Sequence, residues 1–221
     1  MTNHISFDII SAVQVYKNKL RWIMNTPREN SRDKILDAAF RLLSKKGYAN
    51  VSMRDIAAEA QVALGLLTYH FRTKENLFTA LASKLVSSCF DDVTLEMKKG
   101  RDEAERMHLL SEYFERILKE RPDVMKIFLD FSIQAMWNRS FKFQVTYLFN
   151  RLAELIRDDV LSKKPSEDSP VLGKYGAQAV SKVILGSLYG TAFQVLLAGK
   201  GQKELDEIFS LGNTLIEICS K

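Results

Sequence analysis

The residues best suited to binding chemistry in this sequence are concentrated in one short stretch, residues 64–74. Thr68, Tyr69 and His70 can each form hydrogen bonds with a phosphate oxygen or a base edge. Lys74 places a cation in the first turn of a predicted helix, where the helix dipole favours anions instead. Because a phosphate bound at that end would suit both the lysine and the free backbone amides, the stretch predicts contact with a phosphate-bearing ligand.

The neighbouring side chains extend this prediction and leave alternatives open. Leu64 and Leu66 would read thymine methyl groups if they project outwards, and packing inside the protein is the equal alternative. Arg54, early in the predicted helix that follows Ser52, could reach a base or the backbone of a nucleic acid. Lys74 could also be an ordinary exposed lysine. A metal-binding or catalytic role for His70 is disfavoured, because no His, Cys or paired carboxylate lies at ligand spacing.

Three predicted helices position this stretch. Thr26 caps the first, Pro27 occupies its first position and Gly47 ends it. Ser52 caps the second, with Asp55 three residues on in a capping-box arrangement. The predicted spans are 27–46, 53–61 and 63–70, and a long helix opens after Thr73. Two helices this short must pack against the first, which is the helix-turn-helix arrangement whose last member enters the major groove of DNA.

The distribution of charge agrees with a polyanionic partner. The net charge is +5, and residues 1–78 contain 12 Lys and Arg against 7 Asp and Glu, whereas residues 79–221 contain 20 of each sign. The whole surplus therefore lies in the part of the chain with the three helices, although a solvated surface of this composition is also common.

The sequence VSMRDIAAEAQVALGLLTYHFRTKENLF, residues 51–78, closely resembles the signature of the tetracycline-repressor (TetR) family of bacterial transcription regulators. The detailed likeness spans roughly residues 28–80. Its matching positions are Ser52, Ile56, Ala57, Val62, Gly65, Leu67, Tyr69, His70, Phe71, Lys74, Glu75 and Leu77. Three positions depart from the pattern: Gln61 replaces a frequent glycine, Ala63 a frequent serine, and Thr68 a tyrosine that commonly touches phosphate. Losing the glycine and the serine cap is expected to cost about 1 kcal/mol each.

The resemblance implies an all-α protein with an N-terminal helix-turn-helix DNA-binding domain, followed by a helical bundle for ligand binding and dimerisation. We expect an N-terminal extension over 1–25, the DNA-binding domain over 26–75 and the second domain over 76–221. The extension is either an extra amphipathic helix or the result of a mis-assigned start, with translation beginning at Met24. The residues predicted to contact DNA are Ser52, Arg54, Leu64, Gly65, Leu66, Thr68, Tyr69, His70 and Lys74.

The second domain is predicted to contain six helices. Their approximate spans are 74–98, 103–120, 123–137, 140–161, 174–198 and 202–219, with a loop over 162–173. The last two are expected to pair with those of a second copy, and an intramolecular core is the alternative. Candidate dimer residues are Val183, Ile184, Leu188, Ile208, Leu211, Leu215 and Ile218, with Gly186 and Gly190 allowing close helix approach. An apolar effector pocket is expected to include Phe128, Phe131, Gln134, Trp137 and Tyr147, and a packed aromatic core is the alternative.

These features predict a homodimeric repressor of a palindromic double-stranded operator, released by a small hydrophobic effector. No metal, cofactor, membrane partner or catalytic residue is expected, and the two distant cysteines suggest a reduced, cytoplasmic protein. An architectural or division-site DNA-binding protein has the same helices and is the first alternative. A helical enzyme or small-molecule-binding protein is the second, and the sequence offers no nucleophile–base pair or phosphate loop for it.

Overall fold

The computed structural model describes residues 31–161 and 170–198, together with residues 207, 210, 211 and 214. Every regular element within these residues is helical. In chain order the helices are α1 Ser31–Lys46, α2 Met53–Glu59, α3 Leu64–Phe71, α4 Lys74–Met97, α5 Glu103–Glu120, α6 Pro122–Ala135, α7 Arg139–Ile156, α8 Pro170–Tyr175 and α9 Ala177–Ala198. A π-helical turn, Arg157–Leu161, continues α7. The all-α prediction is confirmed, and the predicted extension over residues 1–25 and the Thr26 cap lie outside the described residues.

Helices α2 and α3 pack against α1, which has an apolar stripe from Ile35 to Leu43 buried in the core. The helix ends at Gly47, whose φ of 72° is the left-handed conformation predicted for the stop. Ser52 caps α2 with the predicted capping box. The short helices α2 and α3 each bury only two residues, so they depend on α1 and α4 for stability.

Helix α4 joins this part of the chain to the rest. Thr73 caps it by accepting a hydrogen bond from the Asn76 amide, and the helix runs 24 residues without a glycine or proline. It packs on α1 near its start and on α5 and α7 along its length. Lys84 forms an ion pair of 2.9 Å with Asp33 of α1. The predicted domain boundary at residue 75 therefore falls inside a continuous helix that packs against both sides.

Helices α5, α6, α7 and α9 form the bundle behind α4. Helices α4 and α7 run parallel: Ser140 contacts Glu75 at one end, and Arg151 lies over the Phe90 ring further along. The π-helical turn after α7 is held in part by Arg106, whose guanidinium donates to the Asp159 carbonyl at 3.0 Å. Gly100 is required at the turn before α5, because a Cβ there would lie 2.6 Å from the Arg106 side chain.

The C-terminal part departs from the prediction in two places. The loop predicted over 162–173 contains the start of α8, which begins at Pro170, a residue well suited to a first helical turn. The helix predicted over 174–198 is interrupted at Gly176, whose φ is 76°. By length and composition, helix α9 could span a membrane. Many helices in the cores of proteins meet the same two criteria, and 39% of the most apolar 18-residue window of α9 is buried inside the chain.

Candidate nucleic-acid interface

Helix α3 is attached to the protein by one face only. Leu67 is fully buried and Phe71 is nearly so, and these two residues hold the helix against α1 and α4. Four other side chains of the helix, those of Leu64, Leu66, Thr68 and Tyr69, are exposed, and together we call them the recognition face. Leu64 and Leu66 are 39% and 38% exposed and Tyr69 is 81% exposed. Large apolar side chains left in solvent on a short helix are typical of a surface that binds a partner.

The recognition face offers mainly apolar and acceptor chemistry. The Thr68 hydroxyl donates within the helix, 2.7 Å from the Leu64 carbonyl oxygen and 3.1 Å from that of Gly65. In this conformation its proton is already used, so the phosphate contact predicted for Thr68 requires its side chain to rotate. Tyr69 contacts only the neighbouring His70 ring among the aromatic pairs described, with ring centroids 5.5 Å apart. The Tyr69 phenol is therefore the hydroxyl on this face best placed to reach outwards.

Gly65 lies on the exposed side of α3, and no atom lies within 4 Å of where its Cβ would be. A glycine inside a helix is unfavourable relative to alanine by about 1 kcal/mol. Since nothing in the described part of the chain requires the missing side chain, the structure offers no internal reason for this glycine. The DNA contact of Gly65 stays a prediction.

His70 connects α3 to the first described turn of α1. Its Nε2 lies 2.7 Å from the Ser31 hydroxyl, in a half-buried position. One ring nitrogen is thus occupied by a contact within the protein. The predicted phosphate contact of His70 is limited to the other nitrogen, Nδ1, and stays a prediction.

Lys74 has a different environment from the one the sequence suggested. Its ammonium donates to the Tyr48 carbonyl at 2.6 Å and lies 4.4 Å from the centre of the Tyr48 ring. Burial lowers the pKa of Lys74, and the nearby Asp130 carboxylate partly offsets this. A cation at the start of α4 is therefore explained without a phosphate, because a carbonyl and an aromatic face surround it. The interpretation of Lys74 as evidence for a phosphate is wrong in this respect, and its contact with DNA stays a prediction.

Ser52 and Arg54 lie at the start of α2. The Ser52 hydroxyl donates to Asp55 Oδ2 at 2.6 Å and accepts from the Asp55 amide at 3.2 Å, while the Ser52 amide donates to Oδ2 at 2.8 Å. These hydrogen bonds lower the pKa of Asp55. Ser52 is thus fully used as a helix cap, whereas Arg54 is exposed.

Two cations beside α3 were not predicted. Arg72 follows the helix directly, is exposed and has a φ of 60°. Arg32, also exposed, lies in the first described turn of α1, with its guanidinium 5.3 Å from the centre of the Phe71 ring. Both are exposed cations beside α3. The signal for Arg72 was present in the sequence, since a basic residue directly after the predicted third helix must lie at its end.

The five predicted effector residues do not line one cavity. Phe128 and Phe131 are buried in the core, where Phe131 stacks on Phe141 with centroids 5.2 Å apart. Trp137, 86% exposed, lies in the turn between α6 and α7, and Tyr147, 49% exposed, lies on the solvent side of α7. Gln134 is half-buried and weakly contacts Asp130, at 3.4 Å.

A polar contact inside the bundle was missed. The hydroxyls of Ser132 on α6 and Tyr189 on α9 are 2.7 Å apart, and the Tyr189 ring packs edge-on against Phe149 of α7. Burial raises the pKa of Tyr189 to about 12. Sequence reasoning overlooked this pair because single Ser and Tyr residues 57 positions apart give no local pattern.

The predicted dimer residues divide in the same way. Ile184 and Leu188 are buried in the chain's own core, so the prediction that they lie in an interface is wrong. They are four residues apart on the side of α9 that packs on the bundle. Val183, 68% exposed, and Leu211 lie on the surface, and their place in a dimer interface stays a prediction. Ile208, Leu215 and Ile218 lie outside the described residues.

Comparison with known proteins agrees with the helix-turn-helix geometry. The pattern described as "Bacterial regulatory proteins, tetR family" matches residues 35–81. The HTH-type transcriptional repressor KstR of Rhodococcus jostii is 30% identical over 175 residues, which are 75% of this chain and 74% of KstR. An uncharacterised HTH-type transcriptional regulator of Xanthobacter autotrophicus is 27% identical over 164 residues, 72% of this chain and 78% of the relative.

Solved structures share the fold at low identity. A regulator from Saccharomonospora viridis, described as putative and in complex with choline, has a TM-score of 0.71 at 23% identity and covers 85% of this chain and 95% of its own. The fatty acid degradation regulator FadR of Bacillus halodurans has a TM-score of 0.69 at 16% identity, covering 86% and 96%. The matched pattern lies on α1–α4, which position the recognition face, and the KstR likeness extends over most of both chains. The chain therefore belongs to the TetR family and is a DNA-binding transcriptional regulator.

Proposed function

We propose that this chain is a cytoplasmic, homodimeric repressor that binds a palindromic operator through α3 and releases it when a small effector enters the helical bundle. The observation that carries the proposal is the recognition face, which exposes two leucines and a tyrosine on a helix anchored by Leu67 and Phe71. Similar proteins include KstR, described as a repressor, and IcaR of Staphylococcus aureus, described as a negative regulator, 37% identical over 60 residues.

In the proposed complex α3 lies in the major groove. Leu64 and Leu66 would contact thymine methyl groups, which distinguish A·T from G·C pairs without hydrogen bonds. Arg72 and Arg32 flank the face and would contact the phosphates on either side, as would Lys74 and Arg54. The leucines would then decide which bases are preferred, and the cations would decide how tightly any DNA is held.

A dimer is supported by the outer face of α9. Val183, Phe193 and Leu197 are exposed there, and a Cβ added at Gly186 or Gly190 would meet no atom within 4 Å. An apolar face with small residues open to solvent suits the close approach of a second helix, and a second copy is the occupant we propose. Two recognition helices related by twofold symmetry would then read a palindrome.

The effector site is proposed inside the bundle, beside the Ser132–Tyr189 contact. The pair joins α6 to α9, and the Tyr189 ring packs edge-on against Phe149 of α7. Such surroundings suit a largely apolar ligand with one group that forms hydrogen bonds. A structural neighbour at 23% identity was solved with choline, which supports a small ligand in this fold without identifying the one used here.

The proposal is tested by selecting binding sites from a random DNA library with the purified full chain. We expect an enriched palindrome, and affinity for it that falls steeply with salt because cations contact phosphates. Leu66→Ala should change the base preference at a defined position, by roughly 1–3 kcal/mol per base pair. Arg72→Gln should weaken binding to all DNA and lower the salt slope by about one unit.

Lys142→Gln provides a matched control, since Lys142 is an exposed cation on α7 and should leave the slope unchanged. Absence of any enriched sequence would contradict the proposal. Mapping bound sites in the genome separates the remaining readings. One or a few sites beside neighbouring genes are expected, whereas many dispersed sites would indicate an architectural role.

A further inference from the structure

We propose that Asp130, a residue of the bundle, is a positioning residue for DNA binding, because it holds the α1–α2 loop through Tyr48 and so sets the angle at which α3 is presented. The inference rests on the proposed function, since it concerns how two recognition helices are kept at operator spacing. Asp130 is on α6, 82 residues from Tyr48 in the sequence.

The contact is a direct one between side chain and backbone. The Tyr48 amide donates to Asp130 Oδ2 at 2.6 Å, in a half-buried position. Hydrogen bonds to an ionised acceptor are shorter and roughly twice as strong as neutral ones. Gly47, which precedes Tyr48, supplies the φ of 72° that this turn needs, a backbone conformation that residues with a side chain rarely adopt. The loop that carries α2 is therefore held by α6.

The carbonyl of Tyr48 is held from the other side. Lys74, the first residue of α4, donates to it at 2.6 Å. One loop residue thus receives a carboxylate at its amide and an ammonium at its carbonyl, and the two groups come from different elements. Each backbone dipole points its charge towards the group of opposite sign, so the arrangement fixes the orientation of the peptide units as well as their position.

The ring of Tyr48 completes the junction. It packs edge-on against Phe78 of α4, with centroids 5.1 Å apart, and against Phe141 of α7, at 5.3 Å. Phe141 in turn stacks on Phe131, which is the neighbour of Asp130 on α6. A second polar contact runs alongside, since the Ser140 hydroxyl of α7 donates to Glu75 in the first turn of α4 at 2.9 Å.

These contacts define the Tyr48 junction: Tyr48, Lys74, Phe78, Asp130 and Phe141. It gathers α4, α6 and α7 around the loop from which α2 and α3 extend. A small rotation of α6 would be passed directly to that loop. Because a dimer reads half-sites about 34–36 Å apart, such a rotation changes whether both recognition helices fit at once. Contact between one α3 and one half-site does not depend on the angle between the two domains.

Binding to the palindrome should therefore depend on Asp130, whereas binding to a single half-site should not. A simple loss of stability would weaken both. Full-chain wild type and Asp130→Ala are titrated with the selected palindrome, with versions carrying one base pair added or removed between the half-sites, and with a single half-site. Wild type should lose roughly tenfold or more on a change of spacing, comparable to a mismatched base pair. Asp130→Ala should bind the native palindrome more weakly and discriminate between spacings by less than about threefold, with unchanged affinity for the single half-site.

Two further variants serve as controls. Asp130→Asn keeps an oxygen acceptor without the charge and should restore part of the spacing discrimination. Glu154→Ala removes an exposed carboxylate of α7 that pairs with Arg151, away from the junction, and should behave like wild type. Amide hydrogen exchange at Tyr48 should be faster in Asp130→Ala than in Glu154→Ala, since the hydrogen bond protects that amide.

The results separate the two proposals. Equal loss on all DNAs, including the single half-site, or unchanged spacing discrimination in Asp130→Ala would overturn the positioning role. Absence of a preferred palindrome for wild type would instead overturn the proposed function. If Asp130→Ala does not fold, Ser140→Ala is used in its place, because it removes the hydrogen bond from Ser140 to Glu75. It should show a smaller loss of discrimination between spacings. Wild-type discrimination in that variant would count against the junction.

Discussion

The two short helices of the helix-turn-helix are nearly equal in length and held in different ways. Helix α2 has seven residues, and Ser52 and Asp55 satisfy each other's backbone amides at its start. Helix α3 has eight residues, and its N-cap residue, Ala63, has no side chain able to cap it. The start of α2 is stabilised by its own sequence, whereas α3 depends on Leu67 and Phe71 packing against its neighbours.

The backbone shows the same contrast. Gln61 and Arg72, with φ values of 55° and 60°, are the non-glycine residues with positive φ in the described parts of the chain, and they bracket α3. A side chain in this conformation costs roughly 1–2 kcal/mol. The helix proposed to read DNA therefore has strained residues on both sides and no cap at its start. Tertiary packing therefore fixes α3 and leaves its ends and its exposed side chains free to be shaped by the partner.

The largest expected effect comes from removing the packing that holds α3. Leu67→Ala should lower the free energy of unfolding by about 2–5 kcal/mol, because Leu67 is fully buried. Leu66→Ala, its exposed neighbour, is the matched control and should change it by less than about 0.5 kcal/mol. Urea unfolding followed by circular dichroism measures both. Similar small losses in the two variants would show that packing does not hold α3.

The cap of α2 should have the next largest effect. Ser52→Ala removes the hydroxyl that accepts the Asp55 amide and should cost about 1 kcal/mol. The same urea titration measures it, with Ser44→Ala as a control, since the Ser44 hydroxyl donates to a carbonyl within α1 and caps nothing. A loss no larger than that of Ser44→Ala would contradict the view that the sequence of α2 stabilises its own start.

Supplying α3 with the missing cap should have an effect of similar size and opposite sign. Ala63→Ser places a hydroxyl at the N-cap, where the backbone is already extended with φ −64° and ψ 141°. We expect a gain of up to about 1 kcal/mol in the free energy of unfolding. Ala63→Val, which has no hydroxyl, should give no gain. An equal gain in both variants would show that side-chain bulk, rather than capping, is responsible.

The smallest effect is expected at the turn before α3. Gln61→Gly removes the strain of a residue with a side chain at positive φ, worth about 1 kcal/mol. Part of this gain is lost, because glycine has more conformational freedom in the unfolded chain. The net gain should be about 0.5 kcal/mol. Gln194→Gly on α9 is a control at an exposed residue inside a regular helix and should be destabilising. A loss at position 61 would mean that the Gln61 side chain makes a contribution larger than its strain.

Local patterns in the sequence were sufficient for much of the fold. Gly47, the Ser52–Asp55 capping box and the Thr73 cap placed the helix ends of the first domain within about two residues. The departures at Gln61 and Ala63 were interpreted correctly, since the first has positive φ and the second makes no cap. These features depend on residues within four positions of each other, and for that reason one sequence reveals them.

The Tyr48 junction could not be predicted in this way. Its polar contacts connect Tyr48 to Lys74 and to Asp130, which are 26 and 82 positions away in the sequence. Helical periodicity and capping patterns extend over only a few residues, so they carry no information about such contacts. The same limit explains why Lys74 was assigned to a phosphate, since its carbonyl partner is fixed by the packing of α4 against the loop. Trp137 and Tyr147 belong to an aromatic-rich stretch that predicts an apolar pocket, whereas the structure places Trp137 in an exposed turn and Tyr147 on the solvent side of α7.

Gly65 has a consequence for how this protein can change by mutation. Alanine would fit there without touching any atom of the described chain, and it would favour the helix by about 1 kcal/mol. Selection for thermal stability alone would therefore accept Gly65→Ala. Selection for regulation would reject it if α3 enters the groove as proposed, because the added methyl group would lie between the helix and the DNA. Laboratory lineages evolved under the two pressures are therefore expected to diverge at this position.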